Sequence, residues 1–154
     1  MQGEEILPAD DEKSMNPMVR PIVIAEKNLA GMSLLTRRIR AATAHFPVIG
    51  FPAAQGAIDY FELALRLPSR TALPAILFAD VALPGIDGFQ LTSWIRRRPA
   101  FNSVQIYLLT APSQADAAQR ARDLGANGLL PIPPSAAILT DLLQALDSPA
   151  TLAA

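Results

Sequence analysis

The chain has 154 residues, of which 51% are hydrophobic, with 13 basic and 14 acidic side chains and a formal net charge of −1. This length suits one domain with a sizeable core, and the near-neutral balance argues against a partner recognised by overall charge, such as a nucleic acid. The sequence contains no cysteine, which excludes a disulfide framework, thiolate chemistry and a cysteine-based metal site.

The two ends of the chain differ from its middle. Residues 1–18 contain few large apolar side chains and five acids among the first twelve positions, so we expect a solvated, disordered acidic leader. We expect a flexible tail over residues 148–154 and a single folded domain over residues 19–147. The leader lacks the pattern of a signal peptide, and no apolar run approaches the roughly 20 residues needed to span a bilayer. These features predict a cytoplasmic protein without a membrane partner.

Five short apolar runs, taken in chain order, predict five β-strands: Pro21–Ala25, Pro47–Phe51, Ala75–Ala79, Val104–Leu109 and Gly128–Pro131. Most of them are continuously apolar, which is typical of strands covered on both faces of a parallel sheet. Between and after them, apolar residues at helical spacing predict five helices, around Met32–Ala42, Ile58–Leu65, Gly88–Arg97, Ala117–Leu124 and Leu139–Leu146. This alternation predicts an α/β fold with an open parallel sheet and helices on both faces.

Polar side chains follow the predicted strands at the edge where such sheets bind ligands and carry chemistry. Glu26 and Lys27 follow the first strand, Asp80 the third and Thr110 the fourth, while Ile132 and Pro133 follow the fifth. A carboxylate, a second acid, a cation and a hydroxyl are therefore expected to share one crevice.

The segment FADVALPGIDG, the hydroxyl thirty residues after Asp80 and the stretch LGANGLLPIPP together resemble the receiver domains of two-component response regulators. The resemblance covers about residues 20–146. It implies a flavodoxin-like, CheY-like fold: a doubly wound, five-stranded parallel sheet of order 2-1-3-4-5. It also implies that Asp80 is the phosphoacceptor and that Thr110 contacts the phosphoryl group. Pro84, Asp87 and Gly88 match the turn after the acceptor, and Pro133 matches a proline that follows a cis bond in the family.

Three positions depart from the family pattern. The family has two adjacent acids after its first strand, which hold Mg²⁺, whereas this chain has Glu26 followed by Lys27. The family's lysine before the last proline is replaced by Ile132, and the aromatic switch position is Leu129. Glu26, Asp80 and the main-chain carbonyl of Ala82 remain as metal ligands. We expect Mg²⁺ binding to be weak or absent, with Lys27 folded onto Asp80 in place of the metal.

These residues lead to two hypotheses for a stand-alone receiver that is a signalling module rather than an enzyme. It accepts phosphate on Asp80 in a phosphorelay, or it is a phosphorylation-independent pseudo-receiver that signals by protein contacts. The predicted partners are a sensor histidine kinase or phosphotransfer protein and a downstream protein, with a homodimer left open. The alternative is a flavodoxin-like nucleotide or flavin enzyme, which needs a phosphate-binding loop after the first strand; the segment AEKNLAGMS does not supply a convincing one. The run Arg96, Arg97 and Arg98 is interpreted as a solvated helix end that suits the helix dipole, with a partner or nucleic-acid patch as the alternative.

Overall fold

The computed structural model describes residues 20–112 and 115–146. The predicted leader and tail lie outside the described residues. Among the helices that are described, none is long and apolar enough to cross a membrane.

The five strands form one parallel sheet in the order β2-β1-β3-β4-β5, which confirms the predicted topology. Their bounds are β1 Ile22–Ala25, β2 Val48–Phe51, β3 Ile76–Asp80, β4 Gln105–Thr110 and β5 Gly128–Pro131. The central strands β1 and β3 are buried along their whole length. Side chains of a strand alternate between the two faces of the sheet, so a continuously apolar run is what burial on both faces requires.

The helices cover both faces, as predicted. They are α1 Leu29–Ala42, α2 Ala54–Arg66, α3 Gly88–Arg96, α4 Ala117–Leu124 and α5 Ala136–Leu146, with short 3-10 helices at Arg70–Ala72 and Pro99–Phe101. One apolar cluster joins α2, α3 and α4 to Val23 and Leu77. A second cluster joins α1 and α5 to Ile24 and Phe78. The sheet is therefore doubly wound, and the carboxyl ends of β1, β3 and β4 meet at one edge.

The apolar face of α2 differs in one position from the sequence prediction. Leu65 was expected to pack inward with Ile58 and Phe61, but it is 48% exposed, whereas Ala64 is buried. Ala64 and Leu65 follow Phe61 by three and four residues, so both lie near its side of the helix, and it is Ala64 that faces the core. The core is filled by the smaller side chain, and the leucine is left at the surface.

Candidate functional site

Asp80 is the last residue of β3 and lies at the carboxyl edge of the sheet. Its side chain is buried at 4% exposure, and its Oδ1 accepts a hydrogen bond of 2.8 Å from the main-chain N–H of Ala82. The main-chain N–H of Val81 donates to the carbonyl of Leu109 at 2.9 Å, so β4 still holds the chain beyond Asp80. The acid is thus fixed in position by backbone on both sides.

The turn after Asp80 brings the start of α3 back against β3. Gly85 provides a left-handed conformation with φ of 74°, and Asp87 caps α3 through a reciprocal pair of hydrogen bonds with Gln90. A Cβ atom on Gly88 would lie 2.5 Å from the main-chain oxygen of Asp80. This approach requires glycine, so the sequence PGIDG closes the crevice wall beside the acid, with Pro84 exposed at the tip of the turn.

Glu26 directly follows β1 and lies beside Asp80. It is 5% exposed, and its Oε2 accepts a 2.9 Å hydrogen bond from the N–H of Asn28. Burial raises the pKa of Glu26 above its ordinary value of 4.5; the Asn28 bond lowers it, and the charge and hydrogen bonding of Asp80 raise it again. Two buried carboxyl groups therefore lie side by side, and burial together with the neighbouring acid disfavours the ionised form of Glu26.

Lys27 contacts the neighbouring loop through a carbonyl group. Its Nζ donates a hydrogen bond of 2.9 Å to the main-chain oxygen of Ala82. The contact expected from the sequence was with Asp80, but among the described residues the recorded contact of the Lys27 ammonium is with this carbonyl. Lys27 is exposed, whereas Asp80 is buried, so the carbonyl can be reached without removing the ammonium from water.

The other predicted site residues lie at the same edge of the sheet without contacting Asp80 through a recorded hydrogen bond. Thr110 ends β4 at 7% exposure, and its hydroxyl donates to the carbonyl of Ala111 at 3.2 Å. Ile132 is 38% exposed, its N–H donates to the carbonyl of Thr110 at 3.1 Å, and its peptide bond to Pro133 is cis. Leu129 is partly buried against the cluster beneath α2, α3 and α4.

Three of the oxygen atoms that a hard cation would use already accept hydrogen bonds from the protein. Divalent magnesium takes carboxylate and carbonyl oxygens, and here these belong to Glu26, Asp80 and Ala82. One oxygen of each carboxylate accepts a backbone N–H, and the Ala82 carbonyl accepts an ammonium. The described residues contain no cluster of three or more His, Cys, Asp or Glu side chains able to hold a metal ion. The Ala82 carbonyl, one of the possible metal ligands, therefore already accepts a hydrogen bond from the positively charged Lys27.

The basic run at the end of α3 is structural, and the prediction that it is a solvated helix end was wrong for two of its members. The guanidinium of Arg96 donates to the carbonyls of Phe101, Val104 and Gly125 and to the side chain of Asn127; burial lowers its pKa. The Cζ atom of Arg98 lies 3.9 Å from the centroid of the Trp94 ring, over its face. The spacing of four residues between these two side chains could have predicted their contact. No comparable signal marks the acceptors of Arg96.

The response regulator receiver domain family matches residues 22–144, and the chain belongs to this family. The response regulator protein FleR of Pseudomonas aeruginosa is 37% identical over 87 residues, which are 56% of this chain but 18% of FleR. The solved CheY4 of Vibrio cholerae has a TM-score of 0.66 and 17% identity and covers 83% of this chain and 98% of its own. The Mn²⁺-bound form of the response regulator Rcp1 has a TM-score of 0.65 and 18% identity, covering 86% of this chain and 94% of its own.

The family assignment defines the class of protein. The chain is a receiver domain of two-component signalling, a signalling module rather than a typical enzyme. Receiver domains interact with histidine kinases or phosphotransfer proteins and generally bind a divalent cation in their acidic pocket. The two solved structures share the fold at low identity, so the chemistry of this crevice depends on its own residues.

Proposed function

We propose that this chain is a pseudo-receiver, whose signalling state is set by protein contacts and not by Mg²⁺-assisted phosphorylation of Asp80. The observation that carries the proposal is the 2.9 Å hydrogen bond from the Lys27 ammonium to the Ala82 carbonyl. In the receiver family the carbonyl at the position of Ala82 and the acids of the pocket hold the cation. In this chain a covalently attached cation takes one of those oxygens.

Electrostatics supports this assignment. Two unit charges about 4 Å apart interact by roughly 4 kcal/mol at an effective dielectric of about 20. A divalent ion placed beside the carbonyl would meet Lys27 with a repulsion of this order per unit charge, reduced by solvent because Lys27 is exposed. Mg²⁺ usually keeps several waters and is held by few protein ligands, so even a partly screened repulsion from Lys27 weakens its binding.

Ile132 supports the same conclusion from the other side of the crevice. A phosphoryl group on Asp80 would carry negative oxygens that need donors, and a hydrogen bond to a charged donor is worth about 1.5–3 kcal/mol. Ile132 lies where the family has a lysine, and an aliphatic side chain cannot donate. Thr110 could still offer a hydroxyl, but that hydroxyl is bonded to Ala111.

The proposed contacts are with a sensor histidine kinase or a phosphotransfer protein on the input side and with a downstream protein on the output side, in the cytoplasm. This chain matches only 18% of FleR, so the proposal assigns none of the functions of the rest of FleR to this chain. Leu129, at the position where the family has an aromatic switch residue, supports a read-out that does not depend on rotation of an aromatic side chain.

Intact-mass measurement tests the proposal. The chain is incubated with acetyl phosphate and Mg²⁺, in parallel with Lys27→Asp/Ile132→Lys, which restores both family positions, and with the same variant carrying Asp80→Asn. We expect the unaltered chain to remain unmodified, the restored variant to gain the mass of one phosphoryl group, and Asp80→Asn to abolish this gain. Stoichiometric, Mg²⁺-dependent phosphorylation of the unaltered chain at Asp80 would refute the pseudo-receiver and establish the phosphoacceptor instead.

A further inference from the structure

Strand β2 is the outermost strand on one side of the sheet, and no described strand pairs with its outer side, here named the β2 edge. On its inner side, the carbonyls of Pro47 and Phe51 accept hydrogen bonds of 2.8 Å and 3.0 Å from the chain of β1 and the residue after it. The backbone groups of successive strand residues point in opposite directions within the sheet. The N–H and C=O groups of Val48 and Gly50 therefore point away from β1, along the β2 edge.

The β2 edge is open to pairing over a short length. Proteins commonly protect such edges with charged side chains, bulges or a covering element, but β2 reads VIGF and contains no charged residue. Pro47 and Pro52 bound the strand, and proline has no N–H to donate to a neighbouring strand. The edge thus presents the backbone donors and acceptors of Val48 and Gly50 to a short extended segment. Extended peptides bind exposed sheet edges in this way, with affinity from main-chain hydrogen bonds and specificity from alternate side chains.

The α2 side of the β2 edge is apolar. Tyr60 packs against Phe51 of β2, with ring centroids 6.1 Å apart, and its hydroxyl donates to the carbonyl of Ala72 at 2.7 Å. Leu63 follows Tyr60 by three residues and Leu67 follows Leu63 by four, so these three side chains form one row, here named the α2 row. Leu63 and Leu67 are 45% and 47% exposed. The α2 row therefore extends the apolar surface around Phe51.

The α1 side of the β2 edge is basic. Met32 of α1 lies over β2, because a Cβ atom on Gly50 would overlap the sulfur of Met32. Arg38 reaches the other way, and its guanidinium donates to the carbonyl of Pro134, before α5, at 2.7 Å. Arg40 follows Arg38 by two residues, which is about 200° around the helix. The exposed Arg40 therefore lies on the side of α1 that faces away from α5 and towards β2.

Charge defines the chemistry of the segment that the β2 edge fits. Residues 27–58, which include α1 and β2, contain four basic side chains and no acid, whereas the exposed acids Asp59 and Glu62 lie on α2. Side chains of an extended segment alternate between the two faces of a sheet. We propose that the β2 edge binds an extended segment of another protein in which apolar and acidic residues alternate. Its apolar side chains contact the α2 row, and its acidic side chains contact Arg40.

The same charges argue against a second copy of this chain as the occupant. Two β2 strands paired about a two-fold axis would form one continuous sheet with both α1 helices on the same face. Arg37 and Arg40 of the two copies would then lie near each other, and residues 27–58 supply no acid to pair with them. Like charges placed together oppose association. The proposal does not involve Asp80, so it holds whether or not that residue accepts phosphate.

Amide chemical shifts of the full chain test the proposal, with a short blocked peptide of alternating valine and glutamate as the probe. A peptide of alternating valine and lysine is the charge control. We expect the first peptide to produce saturable shifts of the Val48 and Gly50 amides and to slow their exchange with solvent, because both N–H groups become hydrogen-bonded. The lysine peptide should bind several-fold more weakly.

Two pairs of variants test the two sides of the edge, and circular dichroism checks that each variant is folded. Arg40→Glu should weaken binding of the glutamate peptide several-fold and strengthen that of the lysine peptide, as expected for exposed charge pairs. Arg97→Glu, the same change at an exposed position on α3, should alter neither. Leu63→Gln should weaken binding several-fold, whereas Leu65→Gln, at a leucine of similar exposure outside the α2 row, should leave it unchanged.

Four results would overturn the proposal. The first is unchanged Val48 and Gly50 amides at millimolar peptide, and the second is equal binding of the two peptides. Shifts of these amides that depend on protein concentration, without peptide, would indicate a second copy as the occupant. Peptide binding that appears only after the five acids among the first twelve residues are replaced by glutamine or asparagine would indicate that this chain's own acidic leader is the occupant.

Discussion

Replacing Gly88 by alanine is expected to destabilise the domain through the wall of the crevice. The added Cβ would lie 2.5 Å from the main-chain oxygen of Asp80 and 2.8 Å from the Cα of Val81. Both atoms belong to backbone at the end of a central strand, so they cannot yield as the tip of a side chain could. Either α3 moves outward or β3 bends, and both disturb the position of Asp80.

The size of the stability loss expected for Gly88→Ala follows from two opposing effects. Overpacking of this kind costs about 1–3 kcal/mol, and alanine regains up to about 1 kcal/mol over glycine in a helix. The expected net loss is about 1–2 kcal/mol, which lowers the melting temperature by roughly 2–8 °C for a domain of this size. Gly31→Ala is the matched control: its Cβ would meet the side chain of Glu26 at 3.6 Å, an ordinary contact, so it should be neutral or stabilising.

Urea denaturation followed by Trp94 fluorescence measures both variants. Trp94 packs against Phe101, with ring centroids 6.0 Å apart, so its signal reports loss of the core. If Gly88→Ala were as stable as Gly31→Ala, the claim that α3 approaches β3 too closely for a side chain at position 88 would be wrong.

Two further predictions concern buried charge. Arg96→Met removes the Arg96 donor from the carbonyls of Val104 and Gly125, while the carbonyl of Phe101 keeps the N–H of Val104. It should lower the free energy of unfolding by about 2 kcal/mol, whereas Arg97→Met, at an exposed position, should change it little. Equal denaturation midpoints would contradict the structural role of Arg96. The pKa of Glu26 is raised above 4.5 in the folded state, so the folded state binds its proton more tightly than the unfolded state. Its contribution to stability therefore falls as the pH rises from 4.5 through the folded pKa. Glu26→Gln should remove this slope and raise stability at neutral pH, and an unchanged slope in pH-dependent urea titrations would contradict this.

The parallel sheet was predictable because burial on both faces leaves a direct mark on the sequence, whereas its strand order was implied by the resemblance to receiver domains. The runs PIVIA and AILFA contain no polar residue, and they form β1 and β3, two of the three inner strands of the sheet. The turn after β3 was also recognisable in the sequence, because Pro84, Asp87 and Gly88 match the turn of receiver domains and Asp87 stands where a helix cap is expected. The close approach at Gly88 was visible only in the structure.

The details of the site were less predictable because they depend on which loop atoms come within reach. The sequence led us to expect that Lys27 contacts the carboxylate of Asp80. The conformation of the loop after β3 instead offers it the accessible carbonyl of Ala82, and this conformation cannot be read from the sequence. Arg96 was missed for a similar reason. Three of its acceptors are carbonyls, and any residue type provides a carbonyl.

A Mg²⁺ titration followed by amide chemical shifts tests the central claim most directly, with the unaltered chain and Lys27→Asp measured side by side. If the Lys27 ammonium takes the cation's place at the Ala82 carbonyl, millimolar Mg²⁺ produces no saturable shift in the unaltered chain. The same ion then produces saturable shifts around Glu26, Asp80 and Ala82 in Lys27→Asp. Saturable binding at Asp80 in the unaltered chain, with an affinity that Lys27→Asp does not improve, would contradict the account.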